Sequence, residues 1–363
     1  MEIIPSQPVP YIVVGLVFVS LTVFILPFTI KRIEQNLEIF FLVMGSVAVT
    51  VSGLWNWGLV IEVLKAPVMI GAIPVGIFQV VLIFGLLVHY FNKLFCNAIV
   101  LLTSKLGPTI FIALLILVLG LVSSVVSVIV TACLLVEVIA VLPFNRPDKI
   151  KIVVLTCFAA GLGAGLTPLG EPLSTILVQK LAGPPYNAGF LFPLQTLGIY
   201  VVPGIVAISV FGALLIGRKV NLKTNRIKSE YNESLKTVVM RAIKVYVFVA
   251  ALILLGEGLK PLIVWYFTKI PAWALFWINS LSAILDNATL IAVEIGPTMA
   301  MPQIVSAVMA LLIAGGMLIP GNIPNIIAAG RLKISMKEWA IIGVPIGLAI
   351  MVIYFVVLIP LLF

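Results

Sequence analysis

The sequence predicts an all-α polytopic membrane protein with about eight transmembrane spans, two re-entrant hairpins, and inverted structural repeats that each contain a broken helix. Composition is the first reason: 62% of the 363 residues are hydrophobic, 10% are charged, and the mean hydropathy is +1.28. A soluble domain averages about 45–50% apolar and about 25% charged residues. The second reason is that apolar runs of about 20 residues, long enough to cross a bilayer as helices, recur from Tyr11 onward. The third is that both halves carry the same pair of polar interruptions.

The predicted spans follow these apolar runs in chain order. They are 11–30, 38–60, 72–92, 150–182, 190–217, 237–257, 303–330 and 339–362. The first run lacks a preceding basic segment and a cleavage site, so we do not expect a signal peptide. Segment 93–108 is less apolar than its neighbours and is expected at the membrane interface, and 258–271 is expected to be a connector.

The hydrophilic segment 218–236 divides the chain and is predicted to be a cytoplasmic linker. Residues 1–70 are predicted to form leading helices, 71–217 a first repeat and 237–363 a second repeat in the opposite orientation. Each repeat is predicted to hold one hairpin and one broken helix: hairpin 109–143 with broken helix 150–182, and hairpin 272–300 with broken helix 303–330.

Length and charge both favour the hairpins. The arms of the first hairpin, at 14–16 residues each, would cover roughly 21–24 Å, which is short of a hydrocarbon core of about 30 Å. If both hairpins return to the side that they entered from, sixteen of the 22 basic residues lie in loops on one side and four on the other. Cytoplasmic loops are the ones enriched in Lys and Arg. The chain is therefore predicted to lie in the inner (plasma) membrane with its N-terminus outside and the 218–236 loop in the cytoplasm.

Each half also carries a Pro-x-x-x-Pro break in an apolar helix. The prolines are Pro168 and Pro172 in the first half, and Pro320 and Pro324 in the second. Proline removes a backbone donor and frees a carbonyl group. Free backbone groups persist at membrane depth only where protein or a water-filled cavity satisfies them. Breaks at corresponding points of two halves therefore indicate a transport site, where carbonyl groups suit a cation and helix N-termini suit an anion.

Two carboxylates fall in these interruptions, Asp286 in the second hairpin tip and Glu171 in the first break. An ionisable group is costly inside a membrane and is by default a functional candidate. Because burial disfavours the ionised form, a proton and Na⁺ can compete for such a group, which is a minimal mechanism of exchange. The alternative for Asp286 is that it only caps the helix that follows.

Further oxygen ligands for the cation or proton are predicted among the polar residues of the tips and breaks. They are Asn287, Ser127, Ser123, Ser124, Thr167, Ser282, Asn322 and Asn325. For each of them a local hydrogen bond to the backbone is an equal alternative. Glu137 and Glu294 lie in the second arms of the hairpins and are expected to be either pathway residues or members of structural pairs.

Other chemistry is not indicated, and we do not expect an enzyme. The chain has no phosphate-binding G-x-x-x-x-G-K-[ST] loop, no metal-ligand cluster and a single histidine, His89. Cys96, Cys133 and Cys157 have no metal spacing and are predicted to be packing residues. The net charge of +9 resides mostly in loops and is interpreted as a topology signal, so no nucleic-acid partner is expected.

At these residues the chain resembles the ion transporter superfamily, which holds NhaD-type sodium/proton antiporters, ArsB-type permeases and divalent-anion/sodium symporters. The resemblance covers about residues 70–362 and is greatest to a small prokaryotic branch of cation transporters. Ser282-Ala283-Ile284-Leu285-Asp286-Asn287 is similar to the antiporters' Asp-Asn hairpin, and 315–325 is similar to their Gly- and Pro-rich broken helix. The resemblance implies an elevator-like or rocking cycle and a homodimer. The symporters' paired Ser-Asn-Thr tips are absent, which argues against a dicarboxylate substrate.

The function expected from the sequence is therefore secondary active exchange of Na⁺, or another monovalent cation, for protons by alternating access. The alternative is a Na⁺-coupled symporter of an anion, either a dicarboxylate or an inorganic oxyanion. A passive channel or a membrane scaffold is a third class. The expected partners are the lipid bilayer, a small inorganic ion and a second copy of the chain. Na⁺ is the transported or coupling ion, and no resident cofactor is expected.

Overall fold

The chain is helical throughout the part that its structure, a computed structural model, describes. The described residues are 4–5, 7–34, 36–69, 77–142, 144–217, 235–266, 271–284, 287–297 and 299–362. The predicted linker lies almost entirely outside them, and so do Leu285 and Asp286 of the second tip. The helices are α1 (Pro10–Thr29), α2 (Lys31–Glu34), α3 (Leu37–Ser52), α4 (Trp57–Lys65), α5 (Ile77–Val126), α6 (Val128–Val141), α7 (Arg146–Ala164), α8 (Pro172–Lys180), α9 (Phe192–Gly212), α10 (Leu235–Tyr266), α11 (Ala272–Ile278), α12 (Asn287–Glu294), α13 (Met301–Ala314), α14 (Ile323–Leu332) and α15 (Met336–Leu362).

The long apolar helices fit a helical membrane protein. Within the described residues, five stretches are long and apolar enough to cross a membrane: Pro10–Pro27, Lys105–Val126, Phe192–Gly217, Val238–Tyr266 and Met336–Leu358. The outer faces of these helices expose apolar side chains such as Ile199, Val352 and Val356. Apolar patches this extensive are rare on soluble monomers and suit contact with lipid. The total of about eight spans and the repeats stay predictions.

The boundaries in the region of the first hairpin differ from those predicted. One helix, α5, contains the end of the predicted third span, the predicted interface segment 93–108 and the first hairpin arm. Gly107 has a left-handed φ of 74° immediately before Pro108, but the helical run continues through both residues. The apolar stretch Lys105–Val126 has 22 residues, about 33 Å at 1.5 Å per residue. The expectation of two short arms is therefore wrong for the first arm, which is long enough to cross the core.

Two other predicted boundaries are also wrong. The predicted span 38–60 is interrupted, because α3 ends at Ser52 and α4 starts only at Trp57. Asn56 caps α4 by accepting a hydrogen bond from the backbone N–H of Leu59 at 2.8 Å, and an asparagine cap favours a helix start at this point. The predicted connector 258–271 is largely helical, because α10 runs on to Tyr266.

Packing places the hairpin arms and the broken helices at the centre of the molecule. The short helix α6 turns back after Ser127 and packs against α5. The first arms lie on their own half's broken helix, since α5 packs on α7 and α11 packs on α13. The second arms also pack on the broken helix of the other half, since α6 packs on α14 and α12 packs on α8. Helices α7 and α13 are buried along almost their whole length, so the two breaks lie inside the protein.

The remaining helices surround this centre. Helix α9 packs on α7, and α15 packs on α13. The leading helices α1 and α3 pack against α10. Cys133 and Cys157 are buried in the core.

Candidate functional site

Each hairpin tip lies against the break of its own half, which gives two half-sites. The first half-site comprises the tip Ser123–Ser127 and the break 165–171 between α7 and α8. The second comprises the described tip residues 282–284 and 287, and the segment 315–325, which holds the break between α13 and α14. Both breaks lie where the Pro-x-x-x-Pro motifs stand. The backbone opens there because Pro172 and Pro324 sit in the first turn of α8 and α14, where a missing N–H costs nothing.

The hydroxyl groups of the first half-site are satisfied by the protein's own backbone. Ser123 is fully buried, and its Oγ donates a shared hydrogen bond to the carbonyl oxygens of Gly120 (2.7 Å) and Ala160 (2.8 Å). Ser124 Oγ donates to the carbonyl of Leu121 at 2.7 Å. Thr167 Oγ1 donates to the carbonyl oxygen of Ser124. These three side chains therefore have the local hydrogen bonds that were the alternative to ligand binding.

The connection between α5 and α6 is fixed in the same way. Ser127 adopts a left-handed φ of 88°, and its Oγ accepts a hydrogen bond from the backbone N–H of Ile129 at 3.3 Å. The backbone N–H of Val128 donates to the carbonyl of Gly170 at 2.9 Å. Tip and break of the first half are thereby joined directly.

Glu171 is the carboxylate of the first half-site. It occupies the N-cap position of α8 but makes no side-chain capping bond there. The residue is buried, with 7% of its surface exposed. Burial of a carboxylate away from water is costly, and the role of Glu171 in cation or proton binding stays a prediction.

The second half-site is different, because several of its buried polar atoms have no hydrogen-bond partner among the described residues. These atoms are Ser282 Oγ, Asn287 Oδ1 and Nδ2, and Asn325 Oδ1. All three side chains are buried. Most buried polar groups in proteins are hydrogen-bonded, and each exception calls for an explanation. A ligand bound between the tip and the break would supply partners for these atoms.

These groups converge on Gly315 and Gly321. Asn325 Nδ2 donates to the carbonyl oxygens of Gly315 and Leu318, each at 2.8 Å. A Cβ atom on Gly315 would lie 2.6 Å from Asn287 Nδ2, and one on Gly321 would lie 2.8 Å from the carbonyl oxygen of Ala283. The absence of a side chain at both glycines lets the tip approach the break this closely. Hydroxyl, amide and carbonyl oxygens in one dry place are suited to a small hard cation.

Asn322, also in the second break, caps a helix. Its Oδ1 accepts a hydrogen bond from the backbone N–H of Ile323 at 2.8 Å, which caps α14. Its Nδ2 lies against Gly161 of α7, where a Cβ atom would be 3.0 Å away. Asn322 thus connects the second break with the first half of the molecule. It forms the local hydrogen bond to the backbone that was the alternative to ligand binding.

The two pathway glutamates lie in different environments. Glu137 on α6 forms a buried two-bond ion pair with Arg331 on α14, with N–O distances of 3.2 and 3.3 Å. Glu294 on α12 accepts a hydrogen bond from Asn279 Nδ2 at 3.0 Å. Asp286, the first of the predicted carboxylates, lies outside the described residues. Within the described part of the chain, no group of three or more His, Cys, Asp or Glu residues has the arrangement of a metal site.

The sequence comparison decides the family. The profile of the DUF1646 family, described as a protein of unknown function, matches residues 13–361. The chain belongs to the DUF1646 family. No curated protein matches it. The matched region of this DUF1646 chain includes both half-sites and the linker between the two halves.

Sequence reasoning missed three residues of this DUF1646 site. Asn279 was overlooked because it ends an aromatic, apolar arm, although an amide in such a run is itself a signal. Arg331 was counted only as a loop charge. Trp339 is fully buried and donates from Nε1 to the carbonyl of Gly316 at 3.1 Å, which holds the second break against α15. No local pattern marked this tryptophan.

Proposed function

We propose that this protein is a secondary active transporter that exchanges Na⁺, or another monovalent cation, for protons by alternating access. The observation that carries the proposal is the second half-site, where Ser282, Asn287 and Asn325 present buried polar atoms without partners among the described residues. Leaving such an atom unbonded costs about 1–3 kcal/mol. A site that retains several of them is explained by a ligand that supplies the missing interactions during function.

The chemistry of these atoms favours a cation. Three of the four are oxygen acceptors, and the freed carbonyl groups of the break lie beside them. Unwound carbonyls in broken helices are the usual ligands of Na⁺ in secondary transporters. Asp286 and Glu171 are proposed as the carboxylate ligands of the cation. Ser127, Ser123, Ser124 and Thr167 are no longer proposed as ligands, because their side chains already bond the protein's own backbone.

The packing of the helices supports alternating access. The second arms α6 and α12 each lie on the second segment of the other half's broken helix. A small displacement of one half against the other would therefore move both half-sites relative to each other. We propose that this movement exposes the second half-site to one side of the membrane at a time, in a chain oriented with its N-terminus outside and 218–236 in the cytoplasm. Homodimer formation belongs to the same proposal.

One observation favours a second candidate, a Na⁺-coupled anion symporter. Asn287 Nδ2 is a buried donor without a described partner, and Asn287 is the first residue of α12. Donors at a helix N-terminus suit an anion. In that case the oxygen atoms would hold Na⁺, and the Asn287 amide would donate to the anion.

Vesicle experiments distinguish the two candidates. The full-length protein is reconstituted with an internal pH dye, and an inward Na⁺ gradient is imposed with chloride as the only anion. Exchange predicts a rise in internal pH that vanishes in Asp286→Asn and falls about tenfold or more in Asn287→Leu, as expected for the loss of one good ligand contact. Ser124→Ala, a tip hydroxyl that bonds its own helix, is the matched control and should stay near wild type.

A wild-type protein that moves no protons under this gradient overturns the exchange proposal. Na⁺-dependent uptake of a labelled oxyanion or dicarboxylate, without proton movement, favours the symporter instead. The orientation is tested by cysteine labelling in the 146–151 loop, which should react only from the cytoplasmic side.

A further inference from the structure

The buried pair Glu294–Asn279 lies apart from the cation ligands proposed above. Glu294 ends α12, and Asn279 follows α11 at the start of a 3-10 segment, Asn279–Ala283. Asn279 Nδ2 lies 3.0 Å from Glu294 Oε2 and 3.5 Å from the carbonyl oxygen of Ala307 on α13. The hydrogen bond joins the two arms of the second hairpin. Both side chains are buried, with exposures of 8% for Glu294 and 0% for Asn279.

The pair retains two oxygen atoms that bond nothing in the described part of the chain. Glu294 Oε1 and Asn279 Oδ1 are both buried and both lack a partner there. An ionised carboxylate in this position would be buried with one neutral donor as its only described hydrogen bond. The ionised form is therefore strongly disfavoured, and a proton on Oε1 removes the buried charge.

No described cation compensates the charge of Glu294. Helix α12 packs against α8, α10 and α13. Helix α13 has no charged residue, and α8 has only Lys180, which is exposed. The charged residues on α10 are Lys236, Arg241, Lys244, Glu257 and Lys260. Lys260 pairs with Glu257 at 3.0 Å, Lys244 pairs with Glu38 at 2.8 Å, and Lys236 is exposed. Glu171, which precedes α8, adds a second buried carboxylate rather than a counter-charge.

In the first hairpin, by contrast, the arm carboxylate has a counter-charge. Glu137 on α6 is paired through both of its oxygens with Arg331. Removing either member of that pair would leave a buried charge without its counter-charge. Glu294 has no such constraint, so it is the described arm carboxylate that can take up and release a proton.

The 3-10 segment connects Glu294 to the proposed cation site. Side chains three residues apart in a 3-10 helix lie on the same face, about 6 Å apart along the axis. Asn279 and Ser282 have this spacing, and both are buried. The pair therefore lies within one turn of Ser282, and a cation beside Ser282 would favour an ionised Glu294 through its charge.

We propose that Glu294 carries the exchanged proton on Oε1, at a site separate from the cation site, with Asn279 as its positioning residue. This inference rests on the proposed exchange function. The proton arrives from water on one side and bonds to Oε1. When the cation binds at the second half-site, the proton leaves to water on the other side. One positive charge replaces another, so no oxidant or further reactant is needed.

The test measures cation binding and proton release separately on the purified full-length protein in detergent. NaCl is added to a weakly buffered sample with a pH dye, and choline chloride serves as the ionic control. Na⁺ affinity is measured by calorimetry at two pH values. If one proton competes with one cation, the Na⁺ affinity of the wild type should fall by about tenfold for each unit by which the pH is lowered in the acidic range. Glu294→Gln should still bind Na⁺ but release no proton, and its affinity should be nearly independent of pH.

Two further variants keep the result interpretable. Glu294→Asp should restore proton release, because the carboxylate is retained. Asn279→Leu should shift the midpoint of the pH profile while proton release persists, as expected for a positioning residue. The inference is overturned if Glu294→Gln releases protons like wild type while Asp286→Asn or Glu171→Gln does not. A wild-type protein that binds no Na⁺ and no other alkali cation overturns the exchange function itself.

Discussion

The two half-sites differ in how their polar groups are used, although their helices are arranged alike. In the first, Ser123 and Thr167 donate to backbone carbonyls of the tip or of the neighbouring helix. In the second, Ser282 and Asn287 lie at the corresponding tip and have no partner among the described residues. Matching interruptions in a sequence therefore do not imply matching chemistry. The proposed function therefore predicts that hydroxyl and amide ligands come from the second half-site, while the hydroxyl groups of the first hold tip and break together.

Two helix contacts join the halves, α6 with α14 and α8 with α12, and we call these contacts the seams. They show the same contrast. The α6–α14 seam carries a buried ion pair, Glu137–Arg331, and the α8–α12 seam ends at Glu294, whose described partner is the neutral Asn279. A buried ion pair is intolerant of losing one member. A hydrogen-bonded carboxylate can instead gain or lose a proton. The first seam is therefore expected to set stability, and the second to respond to pH.

The largest effect is expected from breaking the ion pair. Arg331→Met leaves Glu137 buried without its counter-charge and should lower the free energy of unfolding by about 3–5 kcal/mol. On the other seam, Glu294→Gln keeps an acceptor for Asn279 and should change stability by less than about 1 kcal/mol. Equilibrium unfolding in mixed micelles measures both changes.

The double variant Glu137→Leu/Arg331→Met completes this comparison. Since both charges are removed together, it should recover much of the stability lost in Arg331→Met. If Arg331→Met alone were as stable as wild type, the ion pair would not hold the first seam, and the contrast between the seams would fail.

A smaller effect is expected from the close approaches at the breaks. A Cβ atom on Gly163 would collide with the backbone carbonyl of Gly120, which cannot turn away. Gly163→Ala must therefore separate α5 from α7 and should cost about 1–3 kcal/mol. In the second half, the nearest atom to a Cβ on Gly315 is the end of the Asn287 side chain, at 2.6 Å. Gly315→Ala should cost less stability, but it should weaken Na⁺ binding.

Unfolding and calorimetry on the same two variants measure this difference. Equal loss of stability, with Na⁺ binding unchanged in Gly315→Ala, would show that the second break is packing only. Gly183→Ala, in a loop where a Cβ meets nothing within 4 Å, is the control for a harmless added methyl group.

Much of the fold could be predicted from the sequence because its signals are local. Apolar runs predict helices, and a proline such as Pro172 or Pro324 predicts a helix start at that point. The continuity of α5 from 77 to 126 was not predictable in this way. Reduced hydropathy at 93–108 reports polarity, while helicity depends on backbone propensity and tertiary contacts. Lower hydropathy at 93–108 therefore does not predict the end of a helix.

The site was less predictable, because hydrogen-bond satisfaction is a tertiary property. Ser123 and Ser282 look alike in sequence, each a serine in an apolar tip. The partner that distinguishes them is the carbonyl of Ala160, which lies 37 positions away from Ser123 and reaches it only when α5 packs on α7. Arg331 likewise lies 194 positions from Glu137, and no local pattern indicates such a pair.

The same serine-to-alanine change at the two tips gives the smallest effect and the most direct test of the comparison. Ser123→Ala removes a hydroxyl that bonds two carbonyl groups and should destabilise by about 1 kcal/mol. Ser282→Ala removes a buried hydroxyl without a described partner and should be neutral or stabilising by a similar amount, because an unbonded buried polar atom is lost. The functional effects should be reversed. Ser282→Ala should weaken Na⁺ binding measured by calorimetry, and Ser123→Ala should bind Na⁺ normally below its unfolding temperature. A change of the same sign in both variants, in stability and in binding, would mean that the two half-sites are equivalent after all.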